Sequence, residues 1–358
     1  MGPDDSKAPK KNLVVFGPLS TPHTESWIRL IDESAYKVFR VTVHPNDLVS
    51  VEGRGLFRGK GRFISAPFIL ILELIRRRTT LLCAHYFSSY GFISLLCGLR
   101  PVLFCWGSDV NVFSKKLPLT FRFACWLADK RARAVVAPSD AVAKILEVNG
   151  ISGAKITTLQ YGLEVAKLDE FFESAQPPRD RLRIASIRNG DSLYQIQKII
   201  DAFILMESNV DCELVIFGSG HPNYAIPESM AESKKLRVIG FLSNSNFYDE
   251  LAACDLFVSI PTRDGLSLAV LEGLGLGLEA ILSNVGSYSD LFSELGLSLV
   301  NPSISAGDLS EAMMKSVNHS WSLSASHRSA RRTQLHEFVK ERYDSKEAAK
   351  VLQCLLRA

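Results

Sequence analysis

The sequence predicts two doubly wound, Rossmann-like α/β domains joined by a short linker, and three observations predict it. The chain has 358 residues, more than one core ordinarily supports. Short apolar runs alternate with helical patterns through both halves, the order that lays strands side by side in a parallel sheet covered by helices. Between the halves, Phe172-Glu-Ser-Ala-Gln-Pro-Pro-Arg-Asp180 is polar and holds Pro177-Pro178, the composition of an interdomain linker.

The expected partition is a first domain over 1–171, a linker over 172–181, a second domain over 182–335 and a C-terminal helix over 336–358 that returns toward the first domain. In the first domain the patterns predict strands over 12–16, 36–43, 81–85, 102–105, 134–137 and 156–159. Helices are expected over 24–33, 64–78, 120–129 and 140–148, the last capped by Ser139-Asp140. The second series has strands over 182–187, 213–217, 237–239, 256–260 and 280–283, with helices over 194–206, 245–253, 266–274 and 309–317. Ligands of such sheets bind beyond the carboxyl ends of the strands, so two domains facing across a cleft are expected.

Composition excludes other classes. Hydrophobic residues at 47% and charged residues at 22% exclude a disordered chain. The longest apolar run, 66–72, contains Pro67 and stops at Glu73, well short of the roughly 20 residues of a spanning helix. The opening Met-Gly-Pro-Asp-Asp-Ser-Lys has no signal-peptide stretch, so a cytoplasmic location is expected. Seven cysteines, an odd number without Cys-x-x-Cys, read as buried free thiols of a reducing compartment.

Charge is divided. Residues 1–170 hold 23 Lys+Arg against 15 Asp+Glu, net +8, which leaves 18 against 23, net −5, for the remainder. The excess gathers at Arg54, Arg58, Lys60 and Arg62, at Arg76-Arg77-Arg78, and from Lys115 to Arg133, among Phe57, Phe63, Phe68, Phe123 and Trp126. Such a face suits peripheral contact with an anionic membrane or a lipid-linked acceptor, and equally a solvated basic surface over an ordinary core. Nucleic acid is not an expected partner.

The most informative stretch is Ile260-Pro-Thr-Arg-Asp264-Gly265-Leu266-Ser267-Leu268-Ala-Val-Leu-Glu272-Gly273. A strand, a glycine turn and a helix start present free N–H groups and a positive dipole end, a place for a diphosphate. Asp264 and Glu272 can reach opposite ends of one polar ligand, and carboxylates accept hydroxyl hydrogen bonds, as from a sugar or ribose. On spacing alone, a loop acid and a surface helical acid are the commoner occupants of such a pattern.

This segment resembles the Glu-x7-Glu motif of family 4 GT-B glycosyltransferases, the glycosyltransferase group 1 type, with Asp264 where the family usually has Glu and Glu279 where it usually has Pro. The resemblance runs through most of the chain: Phe16-Gly17 to Pro22-His23 and Trp27, Ala84-His85-Tyr86 with Tyr90-Gly91, Trp106-Gly-Ser-Asp109, Tyr161-Gly-Leu163, Ser186-Ile-Arg188, Phe217-Gly218-Ser-Gly220 and Gly240-Phe241-Leu242. It implies that Glu272 holds the donor ribose, that Asp264 and His85 lie near the donor sugar, and that Arg188 meets the diphosphate. Gly218, Phe241 and Leu242 would line the nucleotide pocket, Gly17 would bring backbone close to substrate, and Asp109 would shape the acceptor side or brace a turn. Tyr194-Gln195 stands where many members have Lys-Gly, and Lys198 reads as a solvated helix residue.

The implied activity is a retaining hexosyl transfer from a UDP- or GDP-sugar to a saccharide or lipid-linked acceptor in polysaccharide biosynthesis, by front-face substitution and without a metal or other cofactor; no Asp-x-Asp is present. A GT-B sugar-nucleotide epimerase and a catalytically weak GT-B-like binding or scaffold subunit are the alternatives.

Overall fold

The computed structural model describes residues 9–19, 21–43, 62–79, 81–174, 181–207, 209–220, 222–232, 235–240, 242–286, 288 and 292–357. The expectations placed on Arg54, Phe57, Arg58, Lys60, Phe241 and 175–180 lie outside the described residues. The chain divides into two compact units, residues 1–161 with 345–358, and residues 162–344.

The first unit holds a parallel six-stranded sheet of order β2-β1-β3-β4-β5-β6. Its strands are β1 (Lys11–Phe16), β2 (Tyr36–Val41), β3 (Leu81–His85), β4 (Val102–Phe104), β5 (Ala134–Ala137) and β6 (Ile156–Thr158). The runs Leu13–Phe16 and Ala134–Ala137 are buried throughout, as strands covered on both faces must be. Helices α1 (Pro22–Arg29), α2 (Arg62–Arg77), α3 (Phe92–Leu96), α4 (Ser108–Lys116), α5 (Pro118–Arg131) and α6 (Asp140–Val148) connect them. Ser139 caps α6 by accepting from the Val142 N–H at 3.4 Å. Helix α2 is apolar on two faces: Ala66 and Leu70 enter the core, whereas Ile64, Phe68, Leu72 and Ile75 are 63–73% exposed.

The second unit repeats the layout with order β12-β11-β10-β7-β8-β9. Its strands are β7 (Leu182–Ser186), β8 (Cys212–Ile216), β9 (Leu236–Val238), β10 (Leu256–Ser259), β11 (Glu279–Ser283) and β12 (Ser298–Val300). The helices are α7 (Val165–Ser174), α8 (Ile196–Glu207), α9 (Glu228–Glu232), α10 (Asn244–Ala252), α11 (Leu268–Gly275), α12 (Ala306–Ser322) and α13 (Ala325–Tyr343), before α14 (Ser345–Arg357) rejoins the first unit.

The structure differs from the sequence expectations at several points. The expected linker begins inside α7, which belongs to the second unit because Val165 and Leu168 are buried with Leu335 and Val339 of α13. The single helix expected over 336–358 is two helices, broken where Asp344 takes an extended backbone (ψ 126) and Leu163 bridges to it. Not every cysteine is buried: Cys354 is exposed on α14 and Cys97 is partly so. Among the described residues no helix is long and apolar enough to cross a membrane.

Candidate functional site

In the second sheet, β7 leads outward to β8 and β9 on one side, and β10 leads to β11 and β12 on the other. The chain therefore reverses direction between β7 and β10. Open α/β sheets leave a crevice at that point, beyond the carboxyl ends of the strands. Arg188 leaves β7 there and Ser259 ends β10, and the Arg188 Nε donates to Ser259 Oγ at 2.9 Å.

The rest of the guanidinium is also engaged. Nη1 donates to Ser267 Oγ at 2.5 Å, Nη2 forms an ion pair with the Asp264 carboxylate, and the Tyr194 ring lies under the group at 4.6 Å. Arg188 is 7% exposed, and a buried cation needs such partners. Asp264 Oδ1 accepts the Gly265 N–H at 2.9 Å and Oδ2 accepts the Tyr288 hydroxyl at 3.3 Å. Arg188, expected at the diphosphate, and Asp264, expected near the donor sugar, are thus bonded to each other.

Helix α11 starts at Leu268, not Leu266, with Ser267 as its N-cap. Ser267 makes no side-chain cap bond, because its hydroxyl accepts from Arg188 instead. The first N–H groups of an α-helix have no partner within the helix, so this end of α11 points donors toward the crevice beside the Arg188 cation, an arrangement that suits an anion.

Glycines shape the floor. Gly218 has φ +121, and a Cβ there would lie 2.9 Å from the Arg188 carbonyl oxygen. Gly286, with φ +59, would similarly meet the Asp264 carbonyl at 2.8 Å. Gln195 is left-handed (φ 53), a conformation that fits the glycine usual at this place in the family that the sequence resembles. Its amide secures it by donating to the carbonyls of Ile260 (2.6 Å) and Pro302 (3.0 Å), and Lys198 Nζ donates to its Oε1 at 2.5 Å. Lys198 is consequently a half-buried brace, a correction to its reading as solvated.

Glu272 lies on α11, where its Oε1 accepts the Tyr248 hydroxyl at 2.8 Å. Burial raises its pKa to about 7, opposed by the Tyr248 bond and the Arg188 charge. Burial also raises the Tyr248 pKa, reinforced by the Glu272 charge, so the tyrosine stays a donor. Tyr248, Ser259 and Tyr288 were not singled out in the sequence: each joins the site through a three-dimensional contact that spacing does not encode. Leu242, Leu266 and Leu268 are partly buried against the core of this unit.

The first sheet reverses between β1 and β3, and Gly17 and His85 stand there. A Cβ on Gly17 would lie 2.8 Å from His85 Cβ, so the glycine makes room for the imidazole. His85 is 1% exposed, stacks on Phe104 at 4.4 Å and 7°, and is held neutral by burial, which lowers its pKa to about 3. His85 Nδ1 and Trp106 Nε1 are buried without a hydrogen-bond partner among the described residues, an arrangement costing about 1–3 kcal/mol per group unless a ligand or water meets them. His23 Nδ1 is 2.8 Å from the Tyr161 hydroxyl. Asp109 is buried and braces turns by accepting the N–H groups of Phe87 (2.5 Å), Trp106 and Val110 (both 2.9 Å), and burial raises its pKa to about 6.

Residues 168–334 match the family model described as glycosyl transferases group 1. A protein named as a teichuronic acid biosynthesis glycosyltransferase, TuaC of Bacillus subtilis (strain 168), is 27% identical over 295 residues, 79% of this chain and 72% of that protein. Among solved structures, sucrose-phosphate synthase from Thermosynechococcus elongatus superposes with a TM-score of 0.70 at 14% identity, covering 97% of this chain and 98% of that one. Anabaena Alr3699/HepE, in complex with UDP and glucose, gives 0.69 at 12% identity over 97% and 99%. The fold is of the GT-B type.

Proposed function

We propose that this chain, whose second unit carries a glycosyl transferases group 1 domain, is a retaining hexosyltransferase moving a sugar from a UDP- or GDP-sugar to a saccharide or lipid-linked acceptor in polysaccharide biosynthesis. The observation that carries the reading is the grouping of Arg188, the N-terminus of α11 and Glu272 at the crevice of the second sheet. A planar cation beside unpaired N–H groups suits a diphosphate, and a carboxylate accepts the two hydroxyls of a ribose. HepE in complex with UDP and glucose and TuaC by its name support the donor class and the biosynthetic setting.

In the proposed reaction the donor diphosphate bonds to Arg188 and the Leu268 end of α11. Charge grows on the departing phosphate oxygen as the anomeric bond breaks, and preorganised donors aimed at that charge lower the barrier, by about 2.7–4 kcal/mol for one donor in other enzymes. The acceptor hydroxyl attacks from the side of the leaving group and passes its proton to the departing phosphate oxygen, so the new bond forms on the face the old one leaves and the anomeric configuration is retained. Tyr248 yields Glu272 to the ribose. Asp264, Gly17 and His85 take the sugar-side roles that the resemblance implies, His85 as a neutral hydrogen-bonding imidazole. The outward apolar residues of α2 and the net +8 of residues 1–170 support peripheral attachment to an anionic membrane at the cytoplasmic face.

The test is a thermal-shift screen of UDP-, GDP- and ADP-sugars followed by product analysis with and without acceptor. A true donor at 100 times its Kd raises stability by about 2.7 kcal/mol. Transfer with the donor's anomeric configuration supports the reading; epimerised sugar nucleotide without acceptor, or no ligand in the screen, contradicts it.

A further inference from the structure

Two adjoining pockets open at the amino ends of the first unit's strands, the opposite end of that sheet from Gly17 and His85. One, about 640 Å³, has apolar walls that include Ile71, Leu74, Ile75, Leu82 and Leu99. The other, about 520 Å³, is lined by Lys10, Lys11, Asn12, Leu81 and the end of α14 at Leu356-Arg357. Arg78, Thr79 and Arg133 line both.

The second pocket therefore presents five cations, Lys10, Lys11, Arg78, Arg133 and Arg357, and among the described residues no carboxylate lines it. Asp32, whose pKa is lowered chiefly by its hydrogen bonds from Ser34 and least by the Arg357 charge, is not among its lining residues. The cationic wall is set by backbone. Asn12 Nδ2 donates to the Arg77 carbonyl at 2.6 Å and Thr79 Oγ1 donates to the Asn12 carbonyl, stapling the exit of α2 to β1. Between them Arg78 takes φ +48, the helix-ending conformation that glycine adopts most readily. Nucleotide-sugar chemistry at the other end of the sheets does not call for five like charges here.

We propose that this double pocket binds one anionic phospholipid of a membrane, its phosphate among the five cations and the first methylenes of a chain in the apolar cavity. Charge and shape agree with that occupant: the cavity opens beside Ile71 and Ile75 of α2, 40% and 69% exposed, which continue its apolar lining onto the surface. A second copy of this chain docked about a two-fold axis would set the same cations against each other. The inference deepens the peripheral attachment proposed above and rests on it for the source of the lipid.

The test pairs vesicle flotation with a soluble probe. Wild-type protein is mixed with phosphatidylcholine vesicles, with vesicles one-quarter phosphatidylglycerol, with dihexanoyl phosphatidylglycerol below its micellar concentration, and with inorganic phosphate. Arg78→Gly with Arg133→Ser removes two pocket cations, the glycine suiting the left-handed backbone; Arg29→Ser with Lys144→Ser, exposed positions outside the pocket and outside the basic clusters, removes equal charge elsewhere on the unit. The pocket variant should bind anionic vesicles and the soluble lipid about 30-fold more weakly, about 2 kcal/mol at 1.4 kcal/mol per tenfold, and the control within about threefold of wild type. Ile75→Glu, at an exposed position, should weaken the soluble lipid but not phosphate, which keeps the test decisive if the double variant unfolds. Soluble lipid bound in the pocket without vesicle attachment would overturn the membrane reading and uphold the pocket. Equal losses in the two double variants, or soluble lipid no tighter than phosphate, would overturn the pocket.

Discussion

Arg188 and Asp264, 76 residues apart, form a shielded ion pair at the crevice of the second sheet, with the side chains 8% and 19% exposed. The same guanidinium is the group proposed to meet the donor diphosphate, so Asp264 holds it in place until an anion shares it.

Asp264→Asn should accordingly destabilise the protein without donor, because removing one partner of a buried pair costs about 3–5 kcal/mol. A saturating donor should recover part of that loss by giving Arg188 a new anion. Melting curves of wild type and Asp264→Asn, with and without UDP-glucose or the donor found in the screen, measure both effects. Equal stability of the two proteins would show that the pair does not hold Arg188.

Glu272 gives a pH dependence with a definite sign. Its pKa, about 7 in the folded protein against an ordinary 4.5, means that the folded state holds the extra proton between those values, so its contribution to stability is present at low pH and falls as pH rises through that window. Donor binding should move oppositely, since only the carboxylate accepts both ribose hydroxyls. A nucleotide-sugar diphosphate does not titrate here, so affinity should be about tenfold weaker at pH 6 than at pH 8, and Glu272→Gln should flatten the dependence. Calorimetric titration across this range reads it directly.

His85 should remain neutral through the working range. Its pKa, lowered to about 3 from 6.5, means that the unfolded chain takes the proton first, so stability is lost as pH falls from 6.5 toward 3. The imidazole carbon-bound proton resonances should not titrate between pH 5 and 8. Gly17→Ala, placing a Cβ 2.8 Å from His85 Cβ, should cost about 1–3 kcal/mol through overpacking and lower transfer by displacing the ring.

The parallel architecture was legible because short apolar runs and helical patterns alternate, and the apolar strand expected to end at Ile260, with the glycine turn after Asp264, marked the crevice region. The internal wiring was not. The pairing of Arg188 with Asp264 follows from strand order, which brings β7 beside β10, and one sequence does not state that order. Tyr248 capping Glu272 depends on how α10 and α11 pack. Gln195 kept a glycine's conformation without being glycine because two remote carbonyls, of Ile260 and Pro302, hold its side chain. The start of the second unit was misplaced because α7 is amphipathic and packs back onto α13, whereas its sequence leads directly into a linker composition.

The most direct test of the central claim, that the second unit holds a nucleotide-sugar donor through Glu272 and meets the charge that grows on its departing diphosphate with Arg188, is calorimetric titration of the donor, with transfer rates, for wild type, Glu272→Ala and Arg188→Ala. Glu272→Ala should weaken binding by at least tenfold, about 1.4 kcal/mol, with the fold intact. Arg188→Ala should bind within a few fold of wild type while its transfer rate falls by about a hundredfold, since the charge it meets grows in the transition state. Wild-type affinity in Glu272→Ala together with an unchanged rate in Arg188→Ala would contradict the account.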